Sequence, residues 1–284
     1  MTGPGPRTGP GTGTAAASWP APAPGAAPRP RMVGAQATLE LRTLLRNGEQ
    51  LLLVLIIPVL LLAAFSREPL VNFGPGKRID FLAPGILALA IMSTAFTSLA
   101  IATGFERRYG VLKRLGSTPL GRSGLITAKT LTVLVVELMQ AVVIVAVGLA
   151  LGWRPHAGGS AIAWTLLLML AGTAAFSGLA LLMAGTLRAE ATLAAANLVY
   201  LVMLGLGGVV FPLTRFPAGA QPVLKLLPAG ALSDGLRSVL QRPNLAGLAD
   251  RIPHGSGLPL RDLLVLAAWA AAGIAITARA FRWE

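Results

Sequence analysis

The residues in this sequence that could do chemistry are few and scattered. The segment 116–123 has the outline of a phosphate-binding loop, but Arg122 stands where such a loop needs a lysine, and Pro119 removes a backbone amide that would hold phosphate. The chain has no cysteine, and its two histidines, His156 and His254, are far apart. Neither a Gly-x-Ser-x-Gly nor a His-Glu-x-x-His motif occurs. We therefore predict no catalytic residue, no metal site, no cofactor bound by this chain and no enzyme activity of its own.

The composition is that of a membrane protein. Hydrophobic residues make up 54% of the 284 residues and charged residues 12%, about half of the ~25% that is usual in soluble proteins. The apolar residues form blocks of up to about 20, the length that crosses a hydrocarbon core of ~30 Å. These blocks predict an all-α protein with six transmembrane helices, at 51–65, 82–102, 131–151, 162–184, 192–210 and 263–280.

The segments outside the predicted spans differ in character. Residues 1–30 are rich in proline and glycine, which predicts a disordered cytoplasmic tail. From Arg31 to Arg46, apolar and polar residues alternate as in an amphipathic helix lying on the membrane surface. The loop at 212–259 holds apolar runs too short to cross, which predicts a re-entrant or interfacial hairpin between spans five and six. The net charge of +13 fits a positive-inside bias and contact with anionic lipid, and not nucleic acid.

The connection between predicted spans two and three carries the most distinctive pattern. From Glu106 to Leu115, charged and apolar residues alternate at helical spacing, and Gly116 and Pro119 follow. This predicts one short charged helix, held against the inner face of the membrane and exposed to the cytosol. Its compact basic cluster places the loop, and with it both termini of a chain with six spans, in the cytoplasm. On the residues alone, the alternative is a basic anchor lying on anionic lipid.

This loop resembles the signature loop of ABC-2 type transporter permeases, the membrane subunits of exporters similar to the daunorubicin-resistance and polysaccharide-export systems. The residues that carry the resemblance are Glu106, Arg107, Gly110, Leu115, Thr118, Pro119, Leu120, Arg122 and Lys129. A second stretch is similar to the fifth span and the external hairpin of that family. Its residues are Gly207, Gly208, Phe211, Pro212, Phe216, Pro217, Leu227, Pro228, Leu236 and Arg237.

The resemblance implies an ABC-2 transmembrane domain at 31–284. It departs from the family at Tyr109-Gly110-Val111, where many members carry a second acid and Gly-Thr. Two copies of such a chain form one pore, and two cytoplasmic ATP-binding cassette subunits bind ATP and Mg. The amphipathic helix and the loop helix touch the ATPase. The positions implied to contact it or to shape the contact are Glu106, Arg107, Arg108, Gly110, Leu112, Leu115, Thr118 and Pro119.

Four polar residues within the predicted spans are candidates for the substrate path. Glu137 and Gln140 lie one turn apart on one face of span three, and an acid there should face the bundle or a wet cavity. Glu137 could recognise a cation, or change protonation during transport, or pack as a neutral hydrogen-bonded acid. Asn197 and Tyr200, also one turn apart, could line the path or form interhelical hydrogen bonds.

Two further patterns concern helix packing. Pro58 lies inside the first predicted span, where it requires that neighbours satisfy the carbonyl it leaves free. Small residues follow one face of spans four and six, which predicts close helix packing, within one subunit or between two. They are Ala171, Ala174 and Gly178 in span four, and Ala268, Ala271, Ala272 and Ala275 in span six.

Together these observations predict a permease subunit of an ATP-driven exporter in the plasma membrane, acting as a homodimer on a drug, an antibiotic or a lipid, with multidrug or antibiotic resistance as the expected setting. Two alternatives stay open. The chain could export a polysaccharide or a lipid-linked glycan, or it could anchor or assemble a partner without transporting anything.

Overall fold

The computed structural model of the chain describes residues 25, 27–67, 78–116, 118–156, 158–241 and 258–280. Of the predicted tail at 1–30, residues 1–24 and 26 lie outside the described residues. The described part is built of helices and turns, with a π-helical segment at Met92–Ser98 and a 3₁₀ turn at Leu213–Arg215. We label the α-helices α1 (Arg29–Arg46), α2 (Gly48–Arg67), α3 (Arg78–Ile91), α4 (Leu99–Arg108), α5 (Val111–Gly116), α6 (Gly121–Ala150), α7 (Gly159–Thr186), α8 (Ala189–Leu206), α9 (Gln221–Leu224), α10 (Pro228–Leu240) and α11 (Leu260–Ala280).

Helices long and apolar enough to cross a membrane form most of the described bundle, as expected for a multi-pass membrane protein. They correspond to the predicted spans two to six. The predicted first span falls within α2, whose apolar part, Val54–Arg67, is shorter than the other five. The five long stretches are Arg78–Arg108, Ser123–Ala150, Gly159–Thr186, Ala189–Leu206 and Leu260–Ala280.

The second span is the centre of the bundle. Every residue of α3 from Phe81 to Ile91 is buried, and α3 packs against α2, α6 and α10. The helix continues through the π-helical segment into α4, so it is 31 residues long and extends beyond the predicted 82–102 on both sides. A helix that is apolar on all sides can be surrounded by other helices in this way.

The predicted loop helix from Glu106 to Leu115 is wrong in one respect. The chain turns at Gly110, whose φ of +70° is a left-handed conformation that glycine adopts without strain. Its N–H bonds to the Arg107 carbonyl, which closes α4. The residues before Gly110 therefore belong to the end of the second span, and those after it form the separate short helix α5.

The predicted bounds of two other spans also change. Helix α6 begins at Gly121, well before the predicted 131, and its first turns carry Lys129. Helix α8 ends at Leu206 and not at 210, because Gly208 adopts a φ of +66°. Between α8 and α11 the chain forms only the 3₁₀ turn and the short helices α9 and α10 in its described part.

The alanines of the predicted stripe in the last span do not face α7. Helices α7 and α11 share the most extensive contact in the described part, and α11 turns Gly273 and Thr277 toward α7. Gly178 of α7, which was predicted to pack closely, meets them there. The alanines of the predicted α11 stripe are exposed on the opposite face, and they are Ala268, Ala271, Ala272 and Ala275.

Candidate functional site

A three-helix ion cluster lies at the end of the bundle that carries α5. Lys129 of α6 places its ammonium Nζ 2.7 Å from both carboxylate oxygens of Glu106, near the end of α4. The same Nζ lies 3.4 Å from Oε1 of Glu40 in α1. The Lys129 side chain is only 7% exposed, and a buried ammonium needs such partners because it has lost its water. The cluster therefore ties α1 to the second and third spans.

Helix α1 is held along α6 by a second contact. The Thr132 hydroxyl donates to the carbonyls of Ala37 in α1, at 3.3 Å, and of Ala128 in its own helix, at 3.1 Å. Ala37 is the buried residue of α1. Because Thr132 lies one turn beyond Lys129, the two contacts follow one side of α6 and fix the direction of α1.

Two arginines clamp the end of α4 to the connection between α7 and α8. Arg107 donates a hydrogen bond to the carbonyl of Leu187, the residue that follows α7, and Arg108 forms an ion pair with Glu190 in the first turn of α8. One turn earlier, Gly104 lies against the side chain of Thr192. The end of the second span is thus attached to the fourth and fifth spans.

The remaining predicted contact positions shape α5. Leu112 is buried and packs with Leu120 and Leu125 at the start of α6. The Thr118 hydroxyl donates to the Leu115 carbonyl at 2.6 Å and so caps the end of α5. Leu112 is therefore a packing residue, whereas Tyr109, three residues earlier, is 65% exposed.

An open groove of about 330 Å³ separates α1 from the segment that joins α5 to α6. Its walls are mainly apolar, and Leu39 of α1 is 59% exposed beside it. Three of the predicted coupling positions, Leu115, Thr118 and Pro119, form part of one wall. The lining residues are Met32, Ala35, Gln36, Leu39, Leu115, Thr118, Pro119 and Leu120.

Glu137 is enclosed between α6 and α7 and faces no open path. It is 2% exposed, and its Oε2 lies 2.5 Å from the hydroxyl of Thr173. That hydroxyl also lies 2.8 Å from the carbonyl of Met169. No ion pair reaches Glu137 among the described residues, and its Oε1 is buried without a hydrogen-bond partner there. In this conformation the carboxyl of Glu137 joins two spans through Thr173.

Gln140, one turn after Glu137, is also enclosed. It is 1% exposed, and its Oε1 accepts a hydrogen bond of 2.9 Å from Thr94 in the π-helical segment. Its Nε2 donates to the carbonyl of Val54 in α2 at 3.0 Å. Val54 lies four residues before Pro58, so this is the carbonyl that the proline leaves free. The expectation that a neighbour satisfies that carbonyl is confirmed.

Asn197 and Tyr200 occupy a different surface. Asn197 is exposed on α8, and its Nδ2 donates to the carbonyl of Leu193 in the same helix, at 3.0 Å. Tyr200 is half-buried and shares a hydrogen bond with Ser93 in the π-helical segment. Of the four predicted path residues, Asn197 is the one whose side chain is exposed on the outside of the protomer.

Arg237 lies at the opposite end of the bundle, in α10, and its side chain is 7% exposed. Its Nε donates to the Phe81 carbonyl at 3.2 Å, its Nη2 to the Val209 carbonyl at 2.9 Å, and its Nη1 lies 3.5 Å from Asp234. The guanidinium also lies 3.8 Å from the centre of the Phe81 ring. Burial lowers the pKa of Arg237 to about 10, against the opposing effect of Asp234, so the group stays cationic at neutral pH.

Several of these partners have no role predicted from the sequence. Arg237 carries one only through the family resemblance, and the signal that could have identified it is a charged pair, Asp234 and Arg237, in an otherwise uncharged helix. Glu40, Glu190 and Thr173 carry no comparable signal, because their partners are distant in the chain. Among the described residues, no group of three or more histidine or acidic side chains is placed to hold a metal ion.

The geometry can be compared with known proteins. A search of curated proteins finds no match to this chain. The family model described as ABC-2 type transporter matches residues 35–240, from the middle of α1 to the end of α10. The matched region thus holds both the ion cluster and the buried Arg237. Such a domain is the membrane-spanning permease part of a transporter and not a catalytic domain. The chain belongs to the ABC-2 type transporter family.

Proposed function

We propose that this chain is the permease subunit of an ATP-binding cassette exporter in the plasma membrane. It moves an amphipathic substrate, such as a drug, an antibiotic or a lipid, out of the cell. Two copies form the pore, and a separate ATPase, also in two copies, binds ATP and Mg and supplies the work. In this proposal the chain crosses the membrane six times, with α2 as the first span, and both termini are cytoplasmic.

The observation that carries the proposal is the ion cluster of Lys129, Glu106 and Glu40. A permease must convert the motion of its ATPase into movement of its spans, so the docking surface has to be joined rigidly to them. The cluster joins α1 to α4 and α6 through a nearly buried ammonium. Helix α5 follows α4 after a single turn at Gly110. A push on α1 or α5 therefore reaches the second and third spans.

The surface formed by α1 and α5 suits a protein partner. It combines the apolar groove with exposed Tyr109 and Val111, and with the basic side chain of Lys113. Apolar anchors surrounded by charged residues are typical of transient protein interfaces. We therefore assign the ATPase contact to this surface, with Glu106 and Leu112 acting behind it.

The exposed side chain of Asn197 supports a path between two copies of the chain. An amide facing hydrocarbon would leave polar groups unpaired, which is costly in a membrane. A path along α8 would give it water or substrate as a partner, and Tyr200 lies one turn away. Glu137 and Gln140 are enclosed in this conformation, so we do not place them on the path.

Copurification tests the partner and its contact surface. We would express the chain with the ATPase encoded beside its gene and measure the ATPase retained on the tagged permease. We expect the pair Tyr109→Ala and Lys113→Glu to lose the ATPase. The matched control, Val223→Ala in α9 with Lys225→Glu directly after it, should retain the ATPase. Retention by both variants would contradict the assigned surface, and no ATPase on the wild-type chain would contradict the exporter.

A transport assay separates the remaining alternatives. Inverted membrane vesicles containing the permease and its ATPase should take up a labelled amphiphile when ATP is added. A panel of cationic drugs, lipids and lipid-linked glycans identifies the substrate class. Uptake of glycans alone would favour the polysaccharide-export alternative. A copurifying ATPase without uptake of any member of the panel would favour an anchor.

A further inference from the structure

Two of the described spans contain a proline, Pro58 in α2 and Pro84 in α3. Proline has no N–H, so the carbonyl four residues earlier loses its helical partner. Those carbonyls belong to Val54 and Asp80. Within a membrane no bulk water can replace the lost donor, so another part of the protein must supply one.

A glutamine side chain from another part of the chain meets each of these carbonyls. Gln140 of α6 donates its Nε2 to the Val54 carbonyl at 3.0 Å. Gln241, which follows α10, donates its Nε2 to the Asp80 carbonyl at 3.4 Å. The contact of Gln140 is the shorter one and is fully buried, whereas that of Gln241 is partly buried.

Gln140 has a second bond that Gln241 lacks among the described contacts. Its Oε1 accepts from Thr94, which lies in the π-helical segment of the second span. One amide therefore connects the carbonyl left free by Pro58 in α2 with the irregular segment of its neighbour. Prolines and π-helical segments are the places where a membrane helix departs from regular geometry and can bend.

We propose that Gln140 is a positioning residue that latches span one, at Pro58, to the π-helical segment of span two, and that span one pivots at Pro58 when this latch opens during transport. The pivot rests on the proposed transport function. The latch itself does not rest on that function, because it consists of two hydrogen bonds of Gln140 in the resting protein.

The latch predicts a rescue of stability that a general packing role would not give. Gln140→Leu leaves the Val54 carbonyl unpaired and should lower the melting temperature of the purified protein in lipid nanodiscs. Pro58→Ala restores an N–H that can bond to that carbonyl. Added to Gln140→Leu, it should therefore recover most of the lost melting temperature.

The second proline supplies the matched control. Pro84→Ala supplies an N–H to the Asp80 carbonyl and none to the Val54 carbonyl, so it should not rescue Gln140→Leu. If Gln140→Leu does not fold, the double variant with Pro58→Ala must still fold. Equal rescue by Pro84→Ala, or no rescue by Pro58→Ala, would overturn the latch.

Transport measurements test the pivot. Pro58→Ala alone should keep the melting temperature and ATPase copurification of the wild type, yet lose most of the ATP-driven uptake, because a straightened α2 no longer bends there. Wild-type uptake by Pro58→Ala would overturn the pivot while the rescue experiment still decides the latch. Loss of the ATPase from the wild-type chain would count against the proposed function instead.

Discussion

Gly178 and Gly273 bring the backbones of α7 and α11 into direct contact. A Cβ atom added to Gly178 would lie 3.2 Å from the Gly273 Cα, and one added to Gly273 would lie 3.0 Å from the Gly178 Cα. Thr277, one turn further along α11, donates to the Gly178 carbonyl at 3.2 Å. Close approach of this kind lets two membrane helices gain packing and hydrogen bonds without a hydrophobic driving force between them.

Enlarging this contact should separate the two helices. We expect Gly178→Leu to lower the melting temperature strongly, because the new side chain meets backbone atoms that cannot move aside. Ala271→Leu serves as the control, since Ala271 is exposed on the same helix as Gly273. Thermal unfolding in nanodiscs measures both. Equal effects of the two substitutions would contradict the packing described here.

Removing the ammonium of the ion cluster should weaken both the fold and its coupling. Lys129→Met leaves two carboxylates without their cation. The loss should stay below the ~3–5 kcal/mol typical of a broken buried pair, because the two acids are partly exposed. Lys129→Arg keeps the charge and should retain ATPase copurification. Unchanged ATPase stimulation by substrate in Lys129→Met would show that the cluster plays no part in coupling.

Glu137 should tolerate conversion to the amide better than loss of its hydrogen-bond partner. Glu137→Gln retains a group that can donate to the Thr173 hydroxyl, so stability and uptake should be close to wild type. Thr173→Val instead strands a buried carboxyl and should cost about 1–3 kcal/mol. Chemical unfolding compares the two variants. A selective loss of cationic-drug uptake in Glu137→Gln would return Glu137 to the substrate path.

The contribution of Arg237 should be independent of pH near neutrality. Its pKa of about 10 lies well above that range, so it carries the same charge in the folded and unfolded chain and adds no pH slope to stability. Arg237→Gln leaves the Phe81 and Val209 carbonyls with fewer donors. It should lower the melting temperature equally at about pH 6 and about pH 8. A strong difference between the two would contradict a permanently charged Arg237.

The hydropathy pattern predicted the five long spans because each apolar block carries its own signal. The end of the second span was misjudged because charged residues continue its helix, and only the turn at Gly110 stops it. The partners of the polar residues could not be predicted from spacing. Thr173 lies 36 positions from Glu137, and Val54 lies 86 positions from Gln140, so the topology alone brings them together.

Arg107 and Arg108 attach the end of α4 to the connection between α7 and α8, at Leu187 and Glu190. A force applied near α5 is therefore transmitted to α7 and α8 as well as along α4. Any displacement there is divided among three membrane segments at once. A substitution in that bend should then imitate a defect of the docking surface, although the bend is not part of the surface formed by α1 and α5.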